Sequence, residues 1–309
     1  MAIFYKYTSF ERGRYILRNR CLPLGHISNY NDPYECAIDG FDEEVMSFIE
    51  HMIDEQKKEW LKYVINKTAD KENWSKEMRN AGMSAIAMYG AKTLATLNPF
   101  TALLLMGGIC AFSAIAGSGD NRSNLKPEHV DEYMQKLIPC LENTYTSCMS
   151  TCHDNFLTWS HYADSHKGMV IGFDANAEPF ASNTPAPMDY KDERFAFDAG
   201  MLMACDVKKD IKALFLRKSK KWEYENECRF FFDAQNNPDQ IVWHDNYDNP
   251  IIKLGDKAVS SVYFGSRVPI ERIDQIKSIL SSQGGLGSIE LFQCKLCNSG
   301  YELRFQKIK

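Results

Sequence analysis

The chain has 309 residues with a formal net charge of −5, 44% hydrophobic and 25% charged residues. That is the make-up of an ordinary globular protein large enough for a substantial core. It argues against a broad basic surface for nucleic acid, leaving the group Arg217, Lys218, Lys220 and Lys221 as the one candidate basic groove, explained equally well as a solvated face. The first six residues lack the charged start and apolar run of a signal peptide, so the expected location is cytoplasmic and the ten cysteines are expected to be reduced.

Residues 3–7 read as a strand, Thr8-Ser9 as a helix N-cap, and residues 10–19 as a helix with Tyr15, Ile16 and Leu17 on its apolar side. A second strand follows at 21–27, then a turn at Asn31-Asp32-Pro33-Tyr34-Glu35. From about 40 to 144 the pattern is mostly helical. It includes an amphipathic charged stretch at 43–62 and a helix at 126–143 that opens on Pro127. Between them, residues 93–119 carry no charge. Asn98-Pro99 and Gly107-Gly108 interrupt this tract and no basic cluster flanks it, so buried helices, or else a partner or membrane contact, are expected rather than a stable membrane span.

After residue 145 strands and turns return. Strands are expected at 169–173, 195–198, 223–232 and 259–264, a helix at 268–280, and a closing hairpin over 289–308 turned at Asn298-Ser299-Gly300. The expected architecture is α+β in a single domain, 1–309. Its core comes from 1–39 and 145–309 and its mostly helical insertion from about 40–144.

The segment from Lys218 to Phe230 is the most informative. Read as a strand, it puts Glu225, Glu227 and Arg229 on one face and Tyr224, Cys228 and Phe230 on the other. Two carboxylates that close need a cation, a proton or a ligand. A solvated face balanced by Arg229 is the structural alternative.

Cys294 with Cys297, and Cys148, Cys152 and His153, have loosely metal-like spacing, but hairpin cysteines explain the first pair better and no metal is expected. His161, Asp164 and His166 match no ligand spacing. Nucleotide-binding glycine loops and the serine-hydrolase elbow are absent. What remains is a set of strand-borne polar and aromatic residues: Tyr5, Lys6, Tyr7, Ser150, His161, Tyr162, Glu225 and Glu227. Such a set suits a ligand with a flat ring, ribose hydroxyls and phosphates.

Phe4-Tyr5-Lys6-Tyr7, Asn31-Asp32-Pro33-Tyr34-Glu35, Cys148-Met149-Ser150, the run from Trp159 to Gly168, and Lys218 to Arg229 occur in that order. Together they resemble a widespread bacterial family of uncharacterised domains over roughly 1–36 and 145–309. The opening strand, helix and strand are also similar to the start of ADP-ribosyltransferase folds. That resemblance implies an ADP-ribosyltransferase-like strand core and NAD as substrate. It also implies a macromolecular acceptor, protein or nucleic acid, and a role as a toxin or phage-defence effector. It makes Glu227 the catalytic glutamate and Glu225 its helper. Tyr5 or Lys6 would take the first-strand role and Ser150 or Tyr162 the middle one, with Tyr7, His161 and Arg229 around the ligand. Lys6 stands where those folds carry Arg or His. An antitoxin or other partner would meet the apolar tract 93–119. The alternatives are a non-catalytic binding or interaction module and a nuclease built on His161 and nearby carboxylates.

Overall fold

The computed structural model describes residues 2–26, 38–41, 127–193, 195–245, 249–283, 289–297 and 299–308. The turn at 31–35, the helix expected at 43–62 and the apolar tract 93–119 lie outside them. Among the described residues no helix is long and apolar enough to cross a membrane.

In chain order the elements are β1 (Ile3–Thr8), α1 (Phe10–Asn19), β2 (Cys21–Pro23), β3 (Gly25–His26) and β4 (Ile38–Phe41). Next come α2 (Pro127–Glu142), β5 (Thr144–Ser150), α3 (Phe156–Tyr162), β6 (Met169–Asp174), β7 (Ala186–Pro187), β8 (Asp189–Tyr190) and β9 (Phe195–Phe197). Then follow α4 (Ala199–Ala204), α5 (Val207–Leu216), β10 (Arg217–Lys218), a 3-10 helix (Lys220–Glu225) and β11 (Glu227–Asp233). The chain ends with β12 (Ile241–His244), β13 (Pro250–Lys253), β14 (Val259–Phe264), α6 (Ile270–Ser282), β15 (Glu290–Leu296) and β16 (Leu303–Ile308). The class is mixed, with one large sheet and several helices.

The chain divides into two compact units. Unit 1 comprises Met1–Tyr30, Thr144–Asp192 and Lys218–Lys309, and unit 2 comprises Asn31–Asn143 and Glu193–Arg217. Residues 193–217, placed with the strand core by the sequence pattern, group with unit 2, because β9 pairs with β4 and α4 and α5 pack on α2. Within unit 2 the Tyr133 hydroxyl donates to the buried Asp210 carboxylate at 2.8 Å.

Unit 1 is built on a sheet with the strand order β16-β15-β14-β6-β1-β5-β11-β7, β3 pairing with β5 off this path. All of its pairings are antiparallel except β14 with β15, which α6 connects as a crossover. A separate three-stranded sheet joins β12, β13 and β2. The strand expected at 21–27 is therefore two: β2 pairs with β13 while β3 pairs with β5.

The β strands present Phe4, Met149, Ile171, Phe173, Cys228, Phe230 and Phe232 to the main core. Helix α1 adds Phe10, Ile16 and Leu17, and α6 adds Ile273, Ile276 and Leu280, at helical spacing. Each such side chain contributes about 1.5–3 kcal/mol on burial. Ser9 caps α1 by accepting from the Arg12 backbone N–H. Gly13 lets α1 lie close on β6, since a Cβ there would fall 2.5 Å from the Met169 sulfur.

The opposite face of the sheet carries a second cluster of Trp159, Ala163, Val170 and Tyr263, with Tyr5, Tyr7, Phe292, Leu303 and Phe305 packed against it. Between α3 and β6, Asp164, Ser165 and His166 all have positive φ. This tight return ends at Gly168, where a Cβ would lie 2.3 Å from the Thr8 carbonyl oxygen. The Trp159–Gly168 motif is thus a link that presses one strand onto its neighbour.

Candidate functional site

The register aligns Tyr5 with Ser150, and Ser150 with Glu227, across the adjacent strands β1, β5 and β11. Residues directly opposite share a sheet face. The row Tyr5–Ser150–Glu227 therefore lies on the α3 face, and Lys6 projects to the other, with Phe4 and Thr8. The sequence-derived set is divided between two faces.

Glu227 belongs to a closed ionic cluster. Strand character begins at Glu227 and not at 223: Ser219 caps the 3-10 helix Lys220–Glu225, and Asn226, in the left-handed region at φ 46°, ends it. Glu225 is thus not a strand neighbour of Glu227. The left-handed residue between them turns both carboxylates onto Lys218 instead. The Lys218 ammonium donates to Glu225 Oε2 at 2.7 Å and to Glu227 Oε2 at 2.5 Å, and Arg229 Nε donates to Glu227 Oε1 at 2.9 Å.

All four side chains are buried, with Glu225 2% exposed, Glu227 and Lys218 6%, and Arg229 0%. Two cations offset two carboxylates. Burial raises the Glu227 pKa against the opposing pull of Lys218. Burial alone would lower the Lys218 pKa, but Glu227 and Glu225 outweigh it and hold the ammonium charged. The Cys148 thiol is pushed well up by burial and by Glu227.

Ser150 serves this cluster as a brace. Its hydroxyl donates to the Glu225 carbonyl at 2.7 Å and accepts from the Cys152 N–H at 3.0 Å. The Tyr190 hydroxyl accepts from the Glu227 N–H at 2.8 Å.

Tyr5 and Tyr7 are engaged within the protein. Tyr5 packs on His153 at 5.0 Å and edge-on to Tyr263 at 5.9 Å, and burial pushes its pKa to about 12. Tyr7 meets Trp159 edge-on and donates to the Cys152 carbonyl at 2.9 Å. His161 is exposed on α3 and meets Tyr162 and Trp222 edge-on. His166, by contrast, is buried against Trp159, with Nε2 3.1 Å from the Ser160 hydroxyl. Among the described residues no three His, Cys, Asp or Glu side chains are grouped to hold a metal ion.

Lys6 faces a different space. Among the described residues, Tyr5–Ser150 is the one register pair between β1 and β5, and the far end of β5 pairs with β3 instead. Where the strands part, Lys6 Nζ donates to the Ser147 hydroxyl at 2.8 Å and to the Cys148 carbonyl at 3.1 Å. An ammonium has three donors, so one remains.

Beside it opens a cavity of about 800 Å³. Its lining includes Lys6, Arg12, Tyr15, Trp243, His244 and Asp245. The surrounding protein, and then the Arg12 guanidinium, lower the Lys6 pKa to about 8. The Asp245 carboxylate is engaged by the Asn249 backbone N–H at 2.9 Å and by its side-chain amide. At the rim Trp243 Nε1 donates to the Tyr15 hydroxyl at 2.6 Å, the rings edge-on with centroids 6.4 Å apart.

Of the residues proposed from the sequence to meet a nucleotide ligand, Lys6 lines this cavity, while Glu225, Glu227, Ser150, Arg229, Tyr5, Tyr7, His161 and Tyr162 do not. Sequence reasoning missed Arg12 and Trp243, and took Lys218 for part of a basic groove or solvated face rather than the partner of both glutamates. Spacing holds no signal for Lys218. For Arg12 the signal was available: on α1 it lies one turn before Tyr15, on the same helix side.

Residues 158–230 match a family described as "Protein of unknown function (DUF2971)". The match takes in both the Trp159–Gly168 and the Lys218–Arg229 segments. No curated protein and no solved structure matches the chain.

Proposed function

We propose that unit 1 is a small-molecule-binding module whose ligand occupies the Lys6 cavity, with NAD as the first ligand to test. The observation that carries this reading is the cavity itself. Its volume of about 800 Å³ is that of a small-molecule site, and α1, β5 and the β12–β13 region each contribute to its walls. The closed state of the Glu227 cluster favours binding without catalysis, since Lys218 engages one Glu227 oxygen and Arg229 the other, in a side chain only 6% exposed.

ADP-ribosyl transfer from NAD to a macromolecule is the second reading, and a specific observation favours it: Tyr5, Ser150 and Glu227 form one row on three adjacent strands. In that reading the core is ADP-ribosyltransferase-like and Glu227 stabilises positive charge developing at the anomeric carbon. Glu225 assists the acceptor, and toxin or phage-defence action follows. It requires Lys218 to give way to substrate.

Calorimetry with NAD, run beside an assay for nicotinamide release, separates the two. Binding that persists in Glu227→Gln without nicotinamide release supports the module. Release that Glu227→Gln abolishes supports transfer. Absence of NAD binding at millimolar concentration removes NAD from both.

A further inference from the structure

The cavity is lined by two chemically distinct kinds of side chain, cations and aromatics. Lys6 and Arg12 bring two cations to its wall, and the carboxylate that shares the lining, Asp245, accepts hydrogen bonds from Asn249. Two neighbouring cations repel, and an anion between them would reverse that repulsion. Lysine supplies a point charge and arginine a planar fork, a pairing suited to a phosphate.

A phosphate alone would fill only a small part of about 800 Å³. Tyr15, 37% exposed, and the partly buried Trp243 meet edge-on, tied by the indole N–H to phenol oxygen bond. That bond links the two rings and leaves the phenol hydroxyl free to donate. A linked aromatic pair with a spare donor suits a flat heterocycle.

We infer that the cavity recognises nucleoside phosphates by two handles, the phosphate at Lys6 and Arg12 and the base against Tyr15 and Trp243. This rests on the ligand-binding reading of the same cavity. It narrows that reading, because the nicotinamide end of NAD becomes dispensable.

The test is calorimetric titration of the full chain with ADP, adenosine, inorganic pyrophosphate and NAD. ADP should bind at least about ten-fold more tightly than adenosine and than pyrophosphate. Lys6→Met should bring ADP down to the level of adenosine while leaving adenosine unchanged. Trp243→Leu should bring ADP down to the level of pyrophosphate. Should Lys6→Met fail to fold, Arg12→Gln on the exposed helix surface takes its place, with the same direction expected.

ADP binding no tighter than adenosine overturns the anion handle, and ADP binding no tighter than pyrophosphate overturns the base handle. NAD binding without ADP binding overturns the inference and leaves the NAD module standing. Failure of all four ligands overturns both.

Discussion

Lys218→Met is the most direct test of the buried ionic cluster. The side chain keeps its approximate volume and loses its charge, leaving Glu225 and Glu227 facing one another at 2% and 6% exposure. Two charge-assisted hydrogen bonds disappear. At about 1.5–3 kcal/mol each, they put the expected destabilisation at about 3–6 kcal/mol, overlapping the roughly 3–5 kcal/mol seen when one partner of a buried pair is removed. The deficit must also depend on pH. Without Lys218 the folded-state pKa of Glu227 rises further above the ordinary 4.5. A group with a raised folded pKa costs nothing below its unfolded pKa, and its stabilising proton is lost as pH climbs through the folded value. Urea unfolding at about pH 5 and about pH 8 should therefore show a small deficit at the first and the full one at the second. Adding Glu225→Gln should recover about half of the loss. A deficit below about 1 kcal/mol, or one equal at both pH values, would refute the placement of the ammonium between the carboxylates.

Lys6 carries the opposite sign. Its fall from 10.5 to about 8 corresponds to about 3 kcal/mol held against the folded state at neutral pH. Wild-type stability should rise between about pH 8 and 10.5 as the proton leaves, a slope that Lys6→Met should lack. Net of two lost hydrogen bonds of about 1 kcal/mol each, Lys6→Met should be slightly more stable near pH 7, as read by urea unfolding. Gly168→Ala should cost about 3 kcal/mol in the same assay, because the new Cβ meets backbone atoms of Thr8 and Ala163 that cannot turn aside. Asn226→Ala should cost about 1 kcal/mol and Asn226→Gly close to nothing, reflecting φ 46° at that position.

The elements that follow one simple periodicity were legible in the sequence. β1, α1, β6, β14, α6 and the β15–β16 hairpin all lie where alternation or helical spacing puts them. The strand expected at 223–232 starts only at Glu227, although alternating glutamate and aromatic residues at 222–225 look pleated. Ser219 and Asn226, which supply the cap and the left-handed stop, outweigh that pattern. The Cys228 and Phe230 side chains face the core as the alternation implied, since true strand begins at Glu227. The site was legible only in pieces. Glu227 and Lys6 stood out, but Lys218 read as one of a basic surface run when it is the counter-charge to both glutamates. The cavity escaped notice because Trp243 reaches Tyr15 only through tertiary pairing of β12, β13 and β2, 228 residues away in sequence.

The central position of β1 has a consequence for how this molecule comes into being. Its neighbours β5 and β6 lie far downstream, Ser147 standing 141 positions after Lys6. At about 5–20 residues per second of synthesis, a ribosome spends about 7–30 seconds producing that stretch. Through that interval the Phe4, Tyr5 and Tyr7 side chains have no sheet to enter. The nascent chain must therefore keep a β-prone, aromatic segment from pairing elsewhere until its own partners emerge. A holdase on the early chain, or expression at lower temperature, should raise the yield of folded protein more than any single change to the finished core.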